Sequence, residues 1–180
     1  MPKLSEMLKE TNPKIRNSAI KGLTLIGSTI QNPEVSRIVD ILIIAISDPY
    51  ENNEKGLEIL LKTTFVHYVD APSLSLLIPI IEYGLRSRHS IMRLKASQII
   101  GTISRLIKDP RNMLPYIDML IKAFLFAISD VEEKVRNIAT KSLAKFLQSL
   151  GTKVIGKIIE GFIVEMEGKT KTSIERIGFS

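Results

Sequence analysis

The apolar residues of this chain recur at helical spacing in one segment after another. In one such segment Leu74, Leu77, Ile78, Ile81 and Leu85 follow each other at intervals of one, three or four residues. Residues spaced in this way lie on one face of an α-helix. Similar stripes run from Val35 to Ile46, from Leu57 to Tyr68, from Met92 to Leu106 and from Leu114 to Ile128. The pattern predicts an all-α protein.

A short motif repeats within these predicted helices. It consists of an apolar residue followed by arginine, a small residue four positions after the first, and an aliphatic residue four positions further on. The clear copies are Ile15-Arg16 with Ala19 and Leu23, Met92-Arg93 with Ala96 and Ile100, and Val135-Arg136 with Ala139 and Leu143. With weaker copies at Asn53 and Ile174, the spacing is 38 to 43 residues. This is near the roughly 40 to 47 residues of HEAT and armadillo units. We therefore predict a right-handed, ARM-like α-solenoid of HEAT-type helical hairpins.

The motif divides the chain into about four to five repeats. We place them at residues 1–31, 33–69, 72–108 and 110–150, with a partial repeat at 152–180. Neither end carries the polar capping repeat that a complete solenoid requires. We therefore expect a single HEAT segment, truncated at both ends and excised from a larger protein.

One segment has the composition of a β-strand. Residues Thr63 to Val69 are rich in β-branched and aromatic side chains, which favour strands. The apolar stripe through Leu57, Leu61, Phe65 and Tyr68 instead places the segment at the end of a helix. Because the periodicity and the position in the repeat agree, we predict a helix here.

The composition argues against most kinds of catalysis. The chain has no cysteine and only two histidines, so thiolate chemistry is excluded and we expect no metal or cofactor. His67, Asp70 and Ser73 lie close in sequence. A catalytic triad also needs a defined spatial arrangement and an oxyanion hole, which a repeat junction does not supply. We therefore expect a binding scaffold and no enzyme.

Charge and the N-terminal sequence bear on partner and location. A net charge of +6 and a pI near 9.5 favour a polyanionic partner such as RNA or a ribosome, although only weakly. The longest apolar run is too short to cross a bilayer, and the first residues do not resemble a secretory signal. The cytoplasm is the expected location.

The arginines of the motif are expected to be structural. HEAT units typically pair an acid in the turn between their two helices with an arginine six residues later. The pairs that fit this ladder are Glu10 with Arg16 and Asp130 with Arg136. Ser87 stands in the acid position before Arg93, and Glu54 follows Asp48 where an arginine is expected. We predict that Arg16, Arg93 and Arg136 link one turn to the next.

A second group of basic residues is a candidate contact surface. Arg86, Arg88 and His89 occupy an inter-helix turn where the pattern normally has an acid. Turns of a stacked solenoid line up along one edge and often form its contact surface. With Arg111 nearby and Lys134 in the next turn, these residues are predicted to bind RNA or protein. The alternative is a solvated turn without a partner.

The segment from Thr63 to Leu74 resembles a signature of the general-control translational activator family (Gcn-one), whose members are very large HEAT-repeat proteins. The likeness continues through Ile78 to Ile81, Lys95 to Gly101 and Leu114 to Tyr116, and it covers roughly Asp48 to Gly151. The same region of that family is similar to the HEAT domain of fungal elongation factor three. The run Gln98-Ile99-Ile100-Gly101 is more similar to the activator.

The resemblance implies a cytoplasmic scaffold that binds ribosomes and associates with an ABC-type ATPase partner. It also implies that the protein promotes activation of the amino-acid-starvation kinase that phosphorylates the alpha subunit of initiation factor two. It implies no catalytic residues. The alternatives are a HEAT segment of elongation factor three, of a nuclear transport receptor or of a phosphatase scaffold. The last two suit basic cargo through acidic inner helices, whereas this chain is basic.

Overall fold

The computed structural model describes residues 7–8, 10–152 and 155–156. The chain divides into two compact units, residues 1–149 and 150–180, and the description concerns the first. Its helices are α1 (Pro13–Gly27), α2 (Pro33–Ser36), α3 (Val39–Ser47), α4 (Pro49–Lys62), α5 (Ala71–Leu85), α6 (Ser90–Ile103), α7 (Ile117–Ile128) and α8 (Glu133–Leu150), with 3₁₀ segments at Ser104–Leu106 and Pro110–Tyr116. No β-strand occurs within the described ranges, so the all-α prediction is confirmed. The division into five repeats stays a prediction, and residues 152–180 lie almost wholly outside the described residues.

The helices begin where the sequence supplies a capping residue. The side chains of Asn12, Asn32, Asp48 and Asp70 each accept a hydrogen bond from a backbone N–H two or three residues later. A proline follows each of them within two residues. Such caps satisfy N–H groups that have no partner inside the helix, and proline at the first turn has no N–H to satisfy. Sequence-local chemistry therefore fixes where these four helices begin.

The helices pack as neighbouring hairpins. Helix α3 pairs with α4 and α5 pairs with α6, while α4 also packs against both α5 and α6. Glycines permit the closest approaches. A Cβ atom on Gly56 would lie 2.9 Å from the Cβ of Ala45, and one on Gly84 would lie 2.8 Å from a methyl group of Leu57. Larger side chains at these two positions would force the hairpins apart.

The segment Thr63–Asp70 is not helical, so the sequence-based prediction is wrong here. Helix α4 ends at Lys62, and Thr63 has the extended conformation (φ −76°, ψ 121°). Val69 and Ile107 form an isolated parallel β-bridge. The β-branched composition agrees with this extended conformation, and the helical spacing of the apolar residues was misleading.

Hydrogen bonds from other connections hold this segment extended. The Asn32 side-chain amide donates to the carbonyls of His67 and Tyr68, at 3.3 and 3.2 Å. The N–H of Val69 donates to the carbonyl of Leu106 at 2.9 Å. Because these backbone groups have tertiary partners, they do not need the internal bonds of a helix. The three inter-hairpin connections are thereby tied together at one edge of the stack, which we call the connection edge (residues 28–34, 63–70 and 104–112).

A buried ion pair joins two hairpins at the opposite edge. Arg93 of α6 and Asp130 of the turn before α8 are only 7% and 5% exposed. The Arg93 guanidinium donates to the Asp130 carboxylate through Nε, at 2.5 Å, and also through Nη2. The same carboxylate accepts from the Ser90 hydroxyl at 3.1 Å and the Glu132 N–H at 2.9 Å. The Arg93 Nη1 donates to the Ser87 carbonyl at 2.6 Å.

This pairing corrects the ladder predicted from the sequence. Arg136 does not bind the Asp130 carboxylate but donates to the backbone carbonyl of Asp130 at 2.9 Å. Arg93 makes the same bond to the carbonyl six residues before it. Each arginine therefore binds its own turn through a carbonyl, and Arg93 reaches the next turn through the carboxylate. Glu10 and Arg16 are both exposed and form no ion pair with each other, although both belong to the described chain.

We expect Asp130→Asn to lower the free energy of unfolding by about 3–5 kcal/mol near neutral pH, because Arg93 then stays buried without a counter-charge. Burial raises the pKa of Asp130, but the Glu132 N–H, Arg93 and Ser90 outweigh it and hold that pKa below its usual range. Stabilisation by this carboxylate is therefore complete above the ordinary carboxyl pKa of about 3.9 and is lost as the pH falls through the folded-state value.

Urea unfolding from about pH 7 to about pH 3 measures this effect. The difference between the wild-type chain and Asp130→Asn should shrink at the acidic end. Asp118→Asn, a matched change of an exposed aspartate, should alter stability by less than about 1 kcal/mol. Equal stability of Asp130→Asn and the wild-type chain at pH 7 would contradict a stabilising role for the pair.

Asn32 should be the most sensitive residue of the connection edge. It is 2% exposed, caps α2 through Val35 and donates to two carbonyls of the extended segment. Asn32→Ala should cost about 2–3 kcal/mol, because several buried polar groups lose their partner. Asn32→Asp keeps the cap acceptor but lacks the donors, so it should remain clearly destabilised in the same unfolding measurement. Wild-type stability of Asn32→Asp would show that the bonds to the extended segment contribute nothing.

Candidate interaction surface

The turn between α5 and α6 carries three of the five basic residues predicted to bind a partner. Arg86 follows the last residue of α5, and Arg88 and His89 complete the turn before Ser90. All three are exposed. Lys134 is exposed in the first turn of α8, which follows the next turn of the same kind. We call the side of the stack formed by these inter-helix turns the turn edge.

The basic residues of the turn edge differ in how far their charge is neutralised. The Arg86 Nε atom lies 2.6 Å from a carboxylate oxygen of Glu82, one helical turn earlier. Arg88 and Lys134 form no ion pair with any other residue that the structure describes. Exposed ion pairs reduce the charge that a residue offers to a partner. Arg88 and Lys134 are therefore the most available cations of this edge.

Arg111 lies elsewhere. It follows the C-terminal end of α6, whereas the turn with Arg88 precedes the N-terminal end of that helix. The 14 residues of α6 separate the two ends by about 20 Å. Arg111 also forms a two-pronged ion pair with Asp109, with the closest atoms 2.8 Å apart. Contrary to the expectation from sequence, Arg111 is not near Arg86 and Arg88, and its charge is largely balanced.

A cleft of about 1090 Å³ opens along the turn edge beside Arg86 and Arg88. Its lining also includes Tyr50, Glu51, Glu54, Glu82, Tyr83 and Ser87. This cleft was not expected from the sequence. The signal was present in the two breaks of the ladder at Glu54 and Ser87, which now prove to line one space.

Glu54 makes side-chain contacts that differ from those of the arginines in the ladder. Its carboxylate binds Lys95 of α6 at 2.9 Å, and Lys95 also binds Glu58 at 3.0 Å. Burial lowers the pKa of Lys95, but the two carboxylates outweigh it and raise that pKa overall. Helices α4 and α6 are therefore joined by a partly exposed charge cluster.

Two residues of the triad considered from the sequence, His67 and Asp70, are engaged in structural contacts. The His67 ring Nδ1 lies 2.7 Å from a Glu34 carboxylate oxygen. Asp70 accepts from the backbone N–H groups of Ser73 and Gln31, at 3.0 and 2.7 Å. Asp70 therefore caps α5 and ties two connections together. The described residues contain no group of three or more potential metal ligands, and none of the described helices is long and apolar enough to span a membrane.

Comparison with known proteins identifies the repeat. The family profile described as "Elongation factor 3/GNC1 HEAT repeat" matches residues 52–156. This range contains most of the paired helices, the turn edge from Glu54 onwards and the Arg93–Asp130 pair.

Individual relatives match over nearly the whole chain. Protein ILITYHIA of Arabidopsis thaliana is 36% identical over 184 residues, covering 99% of this chain. Stalled ribosome sensor GCN1 of Homo sapiens is 32% identical over 178 residues, again 99% of this chain. Elongation factor 3 of Pneumocystis carinii is 29% identical over 167 residues, 92% of this chain.

The chain spans only a small part of these relatives, 7% of ILITYHIA and of GCN1 and 15% of elongation factor 3. The profile match over residues 52–156 and the all-helical hairpins agree with the HEAT prediction. They also agree with the resemblance first noted in Thr63 to Leu74. This chain belongs to the elongation factor 3/GNC1 HEAT-repeat family.

Proposed function

We propose that this chain is a non-enzymatic scaffold segment of a ribosome-associated translational activator. That activator promotes activation of the amino-acid-starvation kinase that acts on initiation factor two alpha. The main support is similarity over 99% of the chain to proteins named for these two roles. One is the stalled ribosome sensor GCN1 of Homo sapiens, and the other is the eIF-2-alpha kinase activator GCN1 of Saccharomyces cerevisiae, which is 31% identical.

The proposed partners are the ribosome, the kinase and an ABC-type ATPase, in the cytoplasm. This chain corresponds to 7% of the GCN1 relatives. In the proposed assembly this chain contributes one surface. Stacked hairpins suit this role, because they present aligned turns along an extended edge.

A second candidate is a HEAT segment of the elongation factor 3 type. It is supported by the 29% identity to elongation factor 3 of Pneumocystis carinii over 92% of the chain. The ribosome is a proposed partner of the first candidate. A basic surface that faces ribosomal RNA is therefore the feature to test first.

The turn edge is the proposed ribosome-facing surface. Arg88 and Lys134 are exposed cations, and Arg86 is half exposed despite its pair with Glu82. His89 extends the same turn. Such residues bind phosphates by releasing counterions, so the affinity of the contact should fall steeply with salt.

We expect Arg86→Glu/Arg88→Glu to weaken ribosome binding by about tenfold or more near physiological salt and to flatten the salt dependence. Helicity should not change, because neither side chain belongs to the core. Co-sedimentation of the chain with ribosomes across a salt series measures both effects.

The matched control is Arg105→Glu/Arg111→Glu, which makes the same change in charge on the connection edge, where both residues are exposed. This control should retain most of the binding. Equal losses in the two double variants would indicate a non-specific effect of net charge. Unchanged binding of the turn-edge variant would remove that edge as the ribosome-facing surface.

A further inference from the structure

The groups around Arg93 show how this stack of helices encloses a guanidinium group. The Arg93 guanidinium carbon lies 5.6 Å from the centre of the Phe126 ring, within the range of a cation–π contact. The Asp130 carboxylate binds the same group from the next turn, and the Ser87 carbonyl accepts from it as well. An aromatic face, a carboxylate and a polar atom of the turn thus surround one cation.

The same three positions can be located one hairpin earlier. Arg93 and Arg136 each donate to the carbonyl six residues before them, in Ser87 and Asp130, so these two turns are equivalent. Phe126 lies four residues before Asp130, and Tyr83 lies four residues before Ser87. The aromatic position is therefore kept in the earlier hairpin.

The charged positions of the earlier hairpin differ. Glu54 lies six residues after Asp48, which is the residue before α4. It therefore occupies the position at which the other hairpins have arginine. Ser87 stands where the later turn has Asp130. The internal cation and its carboxylate are thus both missing. The place that Arg93 fills between the later hairpins is open between the earlier ones.

The structure confirms that these positions share one space. Glu54, Tyr83 and Ser87 all line the cleft of about 1090 Å³. Tyr83 is 37% exposed, and Tyr50, which also lines the cleft, is 84% exposed. The cleft therefore offers the aromatic surface that Phe126 offers to Arg93, without a cation from the described chain against it.

Two carboxylates of the cleft are available to a cation, in a lining that also contains Arg86, Arg88 and His89. Of its three carboxylates, Glu82 is paired with Arg86. Glu54 binds Lys95 through one oxygen and remains 57% exposed. Glu51 forms no ion pair within the described part of the chain. Two carboxylates beside an exposed tyrosine ring match the needs of a guanidinium group, which stacks on aromatic faces and forms forked bonds with carboxylates.

We propose that this cleft receives an arginine side chain of a partner protein. The guanidinium stacks on Tyr83 and donates to Ser87, which occupy the positions of Phe126 and Asp130 in the internal contact. Glu54, at the position of Arg93, supplies the carboxylate. Arg88, which also lines the cleft, favours a partner segment in which acidic residues flank the arginine. A nucleic acid carries no cation for Glu54, so its phosphates would contact Arg88 without bonding to that carboxylate.

Chemical-shift titration of the isotope-labelled full chain tests the proposal, with N-acetyl-arginine methylamide as the probe. Saturable shifts should centre on the amides of Glu54 and of Tyr83 to Ser87. The citrulline analogue has the same shape without the charge and should bind at least about tenfold more weakly. The lysine analogue should also bind more weakly than arginine, because its ammonium group is not planar.

Tyr83→Leu should weaken arginine binding severalfold. Glu54→Gln should weaken it by about tenfold. Arg88→Gln should leave it unchanged or stronger. The proposal is overturned if citrulline binds as well as arginine, if both cleft variants bind like the wild-type chain, or if an RNA oligonucleotide shifts the cleft amides and arginine does not. Ribosome co-sedimentation should be insensitive to Glu54→Gln and sensitive to Arg88→Gln, so a failure of this proposal is distinguishable from a failure of the ribosome surface.

Discussion

The buried pair between Arg93 and Asp130 is the contact on which the arrangement of the turn edge depends. In a stack of hairpins each unit touches only its neighbours, so their relative placement relies on a few specific contacts. Apolar packing holds the hairpins together but is not directional. The ion pair is directional, because the guanidinium must meet a carboxylate, its own turn carbonyl and an aromatic face at once. Hydrogen bonds from Asn32 play the same part at the connection edge.

The interruption of this contact one hairpin earlier explains the features that we assign to binding. Where Glu54 and Ser87 replace an arginine and an acid, the turn edge opens into a cleft. The same turn carries Arg86 and Arg88 in exposed positions. The contact between Arg93 and Asp130 thus joins the later hairpins. Where that contact is missing, at Glu54 and Ser87, side chains are exposed that a partner can bind.

Much of the fold could be predicted from the sequence, because helical spacing and a repeat near 40 residues are patterns that can be recognised in the sequence itself. The family was indicated separately, by a resemblance that begins at Thr63 to Leu74. The extended segment after Lys62 could not be predicted, since its partners, such as Asn32, lie more than 30 residues away. The partner of Asp130 was missed for the same reason, being 37 residues away in Arg93. The placement of Arg111 and the cleft at Glu54 also required the three-dimensional stacking of the hairpins.

The most direct test of this account is to restore the missing pair. Glu54→Arg/Ser87→Asp should recreate between the earlier hairpins the contact that Arg93 and Asp130 make between the later ones. In a double-mutant cycle of urea unfolding, the two changes together should be more favourable than the sum of the single changes by about 1–3 kcal/mol. Additive effects of the two substitutions would contradict the claim that these positions form an open rung of one ladder.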